Sequence, residues 1–168
     1  FARMIVYPVF AKVVSPAFIN KSEVGGLSTS IKDDDGLRAA YDRFQKLQGF
    51  AGMLVEEMVE GMELIVGAKV DYQFGPVILV GIGGTSVEIY KDTSIRMAPL
   101  VPEDVAAMVH GLRAHQLLEG YRGTAPINTQ ALTAMLMAFS GLVMESKAEI
   151  ESIDLNPVKC TAERCIVA

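Results

Sequence analysis

The chain has 168 residues, of which 51% are apolar and 21% charged, a balance typical of a folded globular domain rather than a disordered segment. Its net charge of −5 opposes binding to nucleic acid or to an anionic membrane, so an anionic ligand requires a local cluster of cations. Mean hydropathy is high at +0.32, yet the longest apolar stretch, residues 131–144, contains polar residues and a glycine and is too short to span a bilayer. We expect no nucleic-acid partner and no membrane span.

The two ends of the chain and its cysteines favour a cytoplasmic piece of a longer protein. Residues 1–9 contain one arginine and no small-residue cleavage pattern, so no signal peptide is predicted. Both ends are apolar, strand-like runs, which is why we interpret the chain as a fragment. Cys160 and Cys165 are predicted to be reduced thiols. Since His110 and His115 are five residues apart, they should not share a helix face, and a two-histidine metal site on one helix is not expected.

In the first third of the chain the sequence predicts a strand, a loop and a helix. Residues 8–14 are apolar and β-branched, which is typical of a buried strand. Residues 15–26 contain Pro, Asn and a Gly-Gly pair, which indicate a long loop. Apolar residues at helical spacing over 37–47 follow three aspartates at 33–35, which suit a helix N-terminus by capping and by the helix dipole.

The middle of the chain predicts strands and a glycine-rich turn. Residues 52–59 and 62–71 look like two strands of a hairpin joined at Glu60-Gly61. Residues 77–80 form another apolar strand that leads into the sequence Gly-Ile-Gly-Gly. A Rossmann dinucleotide site is not expected there, because serine occupies the third glycine position and residues 85–90 look extended rather than helical.

The last third predicts two helices and a strand. Pro102 suits the first position of a helix that extends to Leu117, and Asn128 suits the N-cap of a second helix with a Met-rich core face. Residues 150–155 form a strand that ends in Asn156-Pro157. Because strands and helices mix without strict βαβ alternation, the predicted fold class is α+β.

Lys12 and the loop that follows it form the first candidate anion site. An unpaired ammonium is costly to bury in an apolar strand, so Lys12 either faces a phosphate or lies in an edge strand and extends to water. The loop combines hydroxyls, a lysine and Gly25-Gly26, and it either presents N–H groups to an anion or serves as a plain turn. It lacks the spacing of a Walker A loop.

Acidic and amide side chains form the other candidates. Asp154 and Asn156 alternate along a strand and share one face, so they are either Mg²⁺ ligands or turn-forming residues before proline. Glu56, Glu57 and Glu63 surround the predicted hairpin. They are either a solvated face or carboxylates that accept hydrogen bonds from a ligand.

Five stretches in this order resemble the ATP-grasp domain of NDP-forming acyl-CoA synthetases, relatives of the succinyl-CoA synthetase β-subunit. The matching strings are PVFAKVVSPAFINKSEVGG, LVEEMVEGMELIVGAKVD, FGPVILVGIGG, GYRG and IESIDLNP. They extend from residue 8 to residue 157. The resemblance implies a partial ATP-grasp fold with mixed and antiparallel sheets, in which residues 1–60 belong to a small N-terminal lobe, residues 61–168 form a large C-terminal lobe, and the nucleotide binds in a cleft between the lobes.

The resemblance also implies a set of site residues. Lys12 would contact the ATP phosphates, and the loop of Gly25 and Gly26 would close over them. Asn156 would bind Mg²⁺, and Asp154 would lie where a phosphohistidine loop docks. The adenine would be held by a hinge formed by Glu56, Glu57, Met58 and Val59. Glu63 would contact the ribose. The phosphate end of the cleft would contain Gly83, Gly84 and Arg122.

The implied reaction is reversible: acyl-CoA, ADP and phosphate give the acid, CoA and ATP. The ATP-grasp part would move a phosphoryl group between ATP or ADP and a histidine, with Mg²⁺. Its expected partner is a CoA-binding domain or subunit that bears the phosphohistidine and that binds CoA and a small carboxylic acid.

Two departures from the family pattern keep an alternative open. Many members carry a histidine at the position of Asn20, and an amide cannot become a phosphohistidine. An acidic second Mg²⁺ ligand would fall at or just beyond Ala168. Because the CoA-binding and histidine-bearing domains are not part of this fragment, the fragment alone is expected to be inactive. The alternative is a regulatory ATP-grasp module of a protein lysine acetyltransferase, which binds ligand without phosphoryl transfer.

Overall fold

A computed structural model describes residues 6–17, 24–84 and 91–168. The chain divides into two compact units, Phe1–Val59 (the N-terminal unit) and Glu60–Ala168 (the C-terminal unit). The elements of the N-terminal unit are β1 (Val9–Val14), β2 (Leu27–Ile31), α1 (Asp34–Phe44) and β3 (Gly52–Glu57). Those of the C-terminal unit are β4 (Met62–Asp71), β5 (Gly75–Ile82), β6 (Thr93–Met97), α2 (Pro102–His110), a 3₁₀ helix (His115–Leu117), α3 (Thr129–Ser146), β7 (Ser152–Cys160) and β8 (Cys165–Val167).

In the N-terminal unit, an antiparallel sheet of order β2-β1-β3 packs against α1. The helix begins where the aspartates predicted it, because the Asp33 side chain accepts a hydrogen bond from the Gly36 amide at 2.8 Å. Phe44 at the end of α1 is fully buried against the strands. The buried core of this unit is Val9, Ala11, Val13, Ile31, Ala40 and Phe44.

In the C-terminal unit, α2 and α3 cover one face of an antiparallel sheet of order β6-β5-β4-β7-β8. Asn128 caps α3 as predicted, since its side chain accepts from the Ala131 amide at 2.9 Å. The buried Ser140 hydroxyl accepts from the Leu100 amide at 2.9 Å, which satisfies a polar group inside the core. One face of α3 is core, as its spacing indicates, and Met135 packs against that core while Met137 is exposed.

A shift of register in β7 determines which of its side chains face away from the helices. Leu64 pairs with Val158 and Val66 pairs with Leu155, so two steps along β4 match three along β7. This extra residue is a β-bulge, and the side-chain alternation changes parity across it. The exposed residues before the bulge and Lys159 after it therefore lie on the same open face of the sheet.

One strand pairing and two element boundaries predicted from the sequence are wrong. The predicted hairpin does not form, because β3 pairs with β1 in one sheet while β4 pairs with β5 and β7 in the other. The helix from Pro102 ends at His110 rather than continuing to Leu117, and a turn and a 3₁₀ helix follow. The last long strand does not end at Asn156-Pro157, since the ladder to β4 continues to Cys160.

Among the described residues, no helix has the length and apolar character needed to cross a membrane. Residues 85–90, predicted to be extended, lie outside the described part of the chain.

Candidate functional site

Lys12 lies on the central strand of the N-terminal sheet, so the edge-strand explanation of its charge is wrong. Its neighbours Ala11 and Val13 point into the core, and Lys12 points to the opposite face. There its Nζ lies 2.5 Å from Oε2 of Glu56, and each side chain is 36% exposed. An ion pair this exposed contributes roughly 0–1 kcal/mol to stability. The ammonium is thus balanced within the fold yet open to an anionic ligand.

The pair Gly25-Gly26 and the predicted hinge, residues 56–59, both contact β1 or the residue before it. The Gly26 carbonyl accepts from the Val13 amide at 2.8 Å, and Gly25 has a left-handed φ of 70°. Beyond the end of β3, the Met58 amide donates to the Pro8 carbonyl at 3.3 Å, and the half-buried Val59 ends the unit. These contacts fix the backbone at both predicted segments.

Glu57 is exposed at the end of β3. Asn20 stands where many members of the family that the chain resembles carry a loop histidine, and it lies outside the described residues.

In the C-terminal unit, Glu63 forms an ion pair with Lys159. The two residues are cross-strand neighbours on β4 and β7, and Lys159 Nζ lies 2.5 Å from Oε1 of Glu63. The lysine side chain is only 19% exposed and the glutamate 37%. Sequence reasoning missed Lys159, which lies beyond the predicted end of its strand; its apolar neighbours Val158 and Cys160 are the signal that could have found it.

Gly83 and Gly84 lie beside Glu63. The Gly83 amide donates to the Glu63 carbonyl at 2.6 Å, and a Cβ on Gly83 would lie 2.8 Å from two Glu63 atoms. Only glycine allows this approach. A cavity of about 720 Å³, within the usual range for small-molecule sites, adjoins these residues. It is lined by residues 60–63, Gly83, Gly84, Leu117, Thr124, Ala125, Ile127 and residues 160–162.

Replacing Gly83 by alanine is expected to separate the ends of β4 and β5 and to displace Glu63. Overpacking of this kind costs typically about 1–3 kcal/mol of unfolding free energy. The measurement is chemical denaturation of the purified protein. Gly141→Ala is the matched control, because nothing lies within 4 Å of a Cβ there and alanine favours its helix by up to about 1 kcal/mol. Equal stability of the Gly83 variant and the parent protein would contradict the packing argument.

Asp154 and Asn156 are exposed residues of β7, and they lie on the sheet face that Glu63 and Lys159 also occupy. Asp154 is directly opposite Gly67 of β4, whose missing side chain leaves the carboxylate uncovered. Carboxylate and amide oxygens are hard donors of the kind that Mg²⁺ takes together with phosphate oxygens. The donor set therefore fits that ion, although neither residue lines the cavity.

Arg122 lies at the tip of a tight turn. Its φ is 49°, its guanidinium stacks 5.3 Å from the centre of the Tyr121 ring, and the Thr124 hydroxyl closes the turn on the Tyr121 carbonyl at 2.7 Å. Thr124 lines the cavity, and Arg122 does not.

Cys160 and Cys165 are cross-strand neighbours, and both are free thiols. Cys160 donates a hydrogen bond to the Cys165 sulfur, and this bond together with burial raises the pKa of the Cys160 thiol, whereas accepting the same bond lowers the pKa of Cys165. Cys160 lines the cavity as a neutral, apolar wall.

The histidines lie closer together than the sequence spacing predicts. Because α2 ends at His110 and the chain turns before His115, their ring centres are 6.0 Å apart. The helix-face argument therefore does not apply, because the two histidines do not lie on one helix.

A profile of the ATP-grasp domain matches residues 1–168. The chain is 40% identical to an ADP-forming acetate–CoA ligase of Archaeoglobus fulgidus, over 94% of this chain and 24% of that protein. It is 39% identical to the β subunit of acetate–CoA ligase I (ADP-forming) of Pyrococcus furiosus, over 94% of this chain and 71% of the subunit. The chain thus spans about a quarter of the single-chain ligase.

Solved structures agree with these relatives. One is acetyl-coenzyme A synthetase 1 of Ca. Korarchaeum cryptofilum in complex with coenzyme A and Mg-AMPPCP, with a TM-score of 0.88 and 35% identity over 99% of this chain and 76% of that one. The α+β class and the antiparallel sheets predicted from the sequence are confirmed. By its sequence profile, its relatives and its fold, the chain belongs to the ATP-grasp domain family.

Proposed function

We propose that this chain is the nucleotide-binding part of an ADP-forming acyl-CoA synthetase. One observation carries the proposal: an open sheet face combines the Glu63–Lys159 pair with Asp154 and Asn156. This face belongs to a chain that is 35% identical to a synthetase seen with a magnesium nucleotide analogue. A cation beside oxygen donors is the arrangement that a magnesium-bound phosphate chain requires.

In this proposal, Lys12 contacts the nucleotide phosphates and the loop of Gly25 and Gly26 closes over them. The segment from Glu56 to Val59 holds the adenine through its backbone, and Glu63 contacts the ribose. Asn156 holds Mg²⁺, which would neutralise phosphate charge when bound. Asp154 lies where the phosphohistidine loop docks. The phosphate end of the site contains Gly83, Gly84 and Arg122.

Lys159 is an addition to that set. Its ammonium is partly buried and fixed by Glu63, so a phosphate that reaches this face would meet a positioned cation. The pair also restrains the Glu63 carboxylate, which leaves its second oxygen to accept from a ribose hydroxyl.

The reaction we propose is acyl-CoA + ADP + phosphate giving acid + CoA + ATP, in both directions. This chain supplies the step in which the phosphoryl group moves between nucleotide and histidine. Such a transfer depends on positioning and charge neutralisation, which lysines and backbone N–H groups provide.

The proposed partner is a CoA-binding domain or subunit that carries the phosphohistidine and binds the acid. Its existence is supported by the greater length of the relatives, of which this chain covers 24% and 71%. We place the enzyme in the cytoplasm, where ATP and CoA are available. The relatives are ligases, and nothing in them favours the alternative of a regulatory acetyltransferase module.

Incubation of the intact protein with ATP labelled at the γ-phosphate tests the proposal. We expect acid-labile label on a histidine outside residues 1–168, because Asn20 cannot accept phosphate and neither His110 nor His115 belongs to a matching stretch. Peptide mapping by mass spectrometry locates the label. Absence of label from every histidine would favour a module that binds nucleotide without phosphoryl transfer.

A further inference from the structure

We propose that His110, His115 and Glu119 bind one divalent transition-metal ion on the surface of the C-terminal unit. Each side chain offers one ligand atom, and these atoms all lie within 4.8 Å of one another. Two imidazole nitrogens and a carboxylate oxygen are a donor set typical of Zn²⁺ and neighbouring ions. None of the three residues lines the cavity beside Gly83 and Gly84.

The separations are compatible with a single ion after small side-chain rotations. Metal–ligand bonds of about 2.0–2.1 Å in a tetrahedron place the ligand atoms about 3.3 Å apart. His110 Nδ1 already lies 3.6 Å from Oε1 of Glu119. Both of these side chains are more than half exposed, at 68% and 52%, so they are free to close the remaining distance.

The backbone that carries the three residues is held in place. Leu112 and Leu118 are 1% exposed and anchor the segment in the core. The Asp92 carboxylate accepts from the Arg113 amide at 2.8 Å and from the Ala114 amide at 2.9 Å, which fixes the turn between the histidines. Since the turn is fixed, the fold itself supplies most of the ordering that metal binding requires.

The tautomer of His115 also suits a metal ligand. Its Nδ1 lies 3.0 Å from the Leu112 carbonyl, and a carbonyl oxygen only accepts hydrogen bonds, so Nδ1 carries the proton. The lone pair of Nε2 is then available for an ion. Histidines that bind metals commonly donate their other ring N–H to a carbonyl or carboxylate in this way.

Titration of the metal-free intact protein with Co²⁺, followed by its visible absorption, tests the site. We expect His110→Ala and Glu119→Gln each to weaken the binding of one Co²⁺ by at least about tenfold, and Zn²⁺ to displace that ion from the parent protein. Glu145→Gln is the matched control: it removes the same charge from an exposed helical position and should retain the parent affinity.

Thermal denaturation supplies a second readout. Zn²⁺ should raise the melting temperature of the parent protein and of Glu145→Gln, but raise that of His110→Ala less. Equal Co²⁺ affinity and stoichiometry in parent and His110→Ala protein would overturn the proposal. An equal loss in Glu145→Gln would also overturn it, by showing attraction to surface charge only. If His115→Ala does not fold, the variants of the exposed residues His110 and Glu119 still test whether the metal binds here.

Discussion

Replacing Lys12 by methionine is expected to lower the rate of phosphoryl transfer from ATP to the protein by at least about 100-fold. Loss of one positioned donor to a developing charge commonly has an effect of this size. Methionine keeps the length and the apolar stem of the side chain, so packing against β1 should be preserved. Rapid-quench measurement of phosphoprotein formation in the intact enzyme gives the rate.

Two further variants separate a role in binding from a role in folding. Lys46→Met removes an exposed positive charge from the same unit and should leave the rate unchanged. Because the Lys12–Glu56 pair is 36% exposed on each side, Lys12→Met should change the unfolding free energy by no more than about 1 kcal/mol. An unchanged rate together with a larger loss of stability would assign Lys12 a structural role and remove it from the nucleotide site.

Replacing Asn156 by alanine should raise the Mg²⁺ concentration needed for half-maximal phosphorylation and lower the maximal rate by about 100-fold. The amide oxygen is the side-chain ligand that we propose for the ion, and alanine has no donor to offer. The rate is measured across a series of Mg²⁺ concentrations at saturating ATP.

Asn156→Asp provides the rescue, since a carboxylate is also a hard oxygen ligand and should restore part of the Mg²⁺ response. Ser152→Ala is the matched control, because Ser152, like Asn156, is one of the alternate, exposed residues of β7. If Asn156→Ala and Ser152→Ala show the same Mg²⁺ dependence, Asn156 is not a ligand.

Local signals in the sequence predicted most of the elements. The aspartates before α1 and Asn128 before α3 mark helix starts because a short polar side chain accepts from backbone N–H groups that have no partner within the helix. Apolar runs located β1 and β5 because their buried faces are continuous. These features depend on neighbouring residues only, which a sequence displays directly.

Strand pairing was harder to predict because it depends on distant partners. Only residues 58–61 separate β3 from β4 in the sequence, which suggests a hairpin, yet β3 pairs with β1, and β4 pairs with β7, almost a hundred residues away. The end of the strand before Pro157 was misplaced for the same reason: a bulge accommodates the proline, and only the partner strand reveals it.

The candidate site was partly visible in the sequence. Lys12 was conspicuous as a charge in an apolar strand, and its Glu56 partner lies diagonally across on β3. Lys159 was missed because the strand was predicted to end at Asn156-Pro157, whereas its ladder to β4 continues past the bulge to Cys160. The grouping of His110 with His115 was missed because it requires knowing that α2 ends at His110.

Calorimetric titration of the intact protein with ATP, with and without Mg²⁺, tests nucleotide binding itself. We expect saturable binding of one nucleotide per copy of this chain, weakened when Mg²⁺ is withheld and weakened again by Lys12→Met. Failure of the parent protein to bind ATP at millimolar concentration in the presence of Mg²⁺ would contradict it.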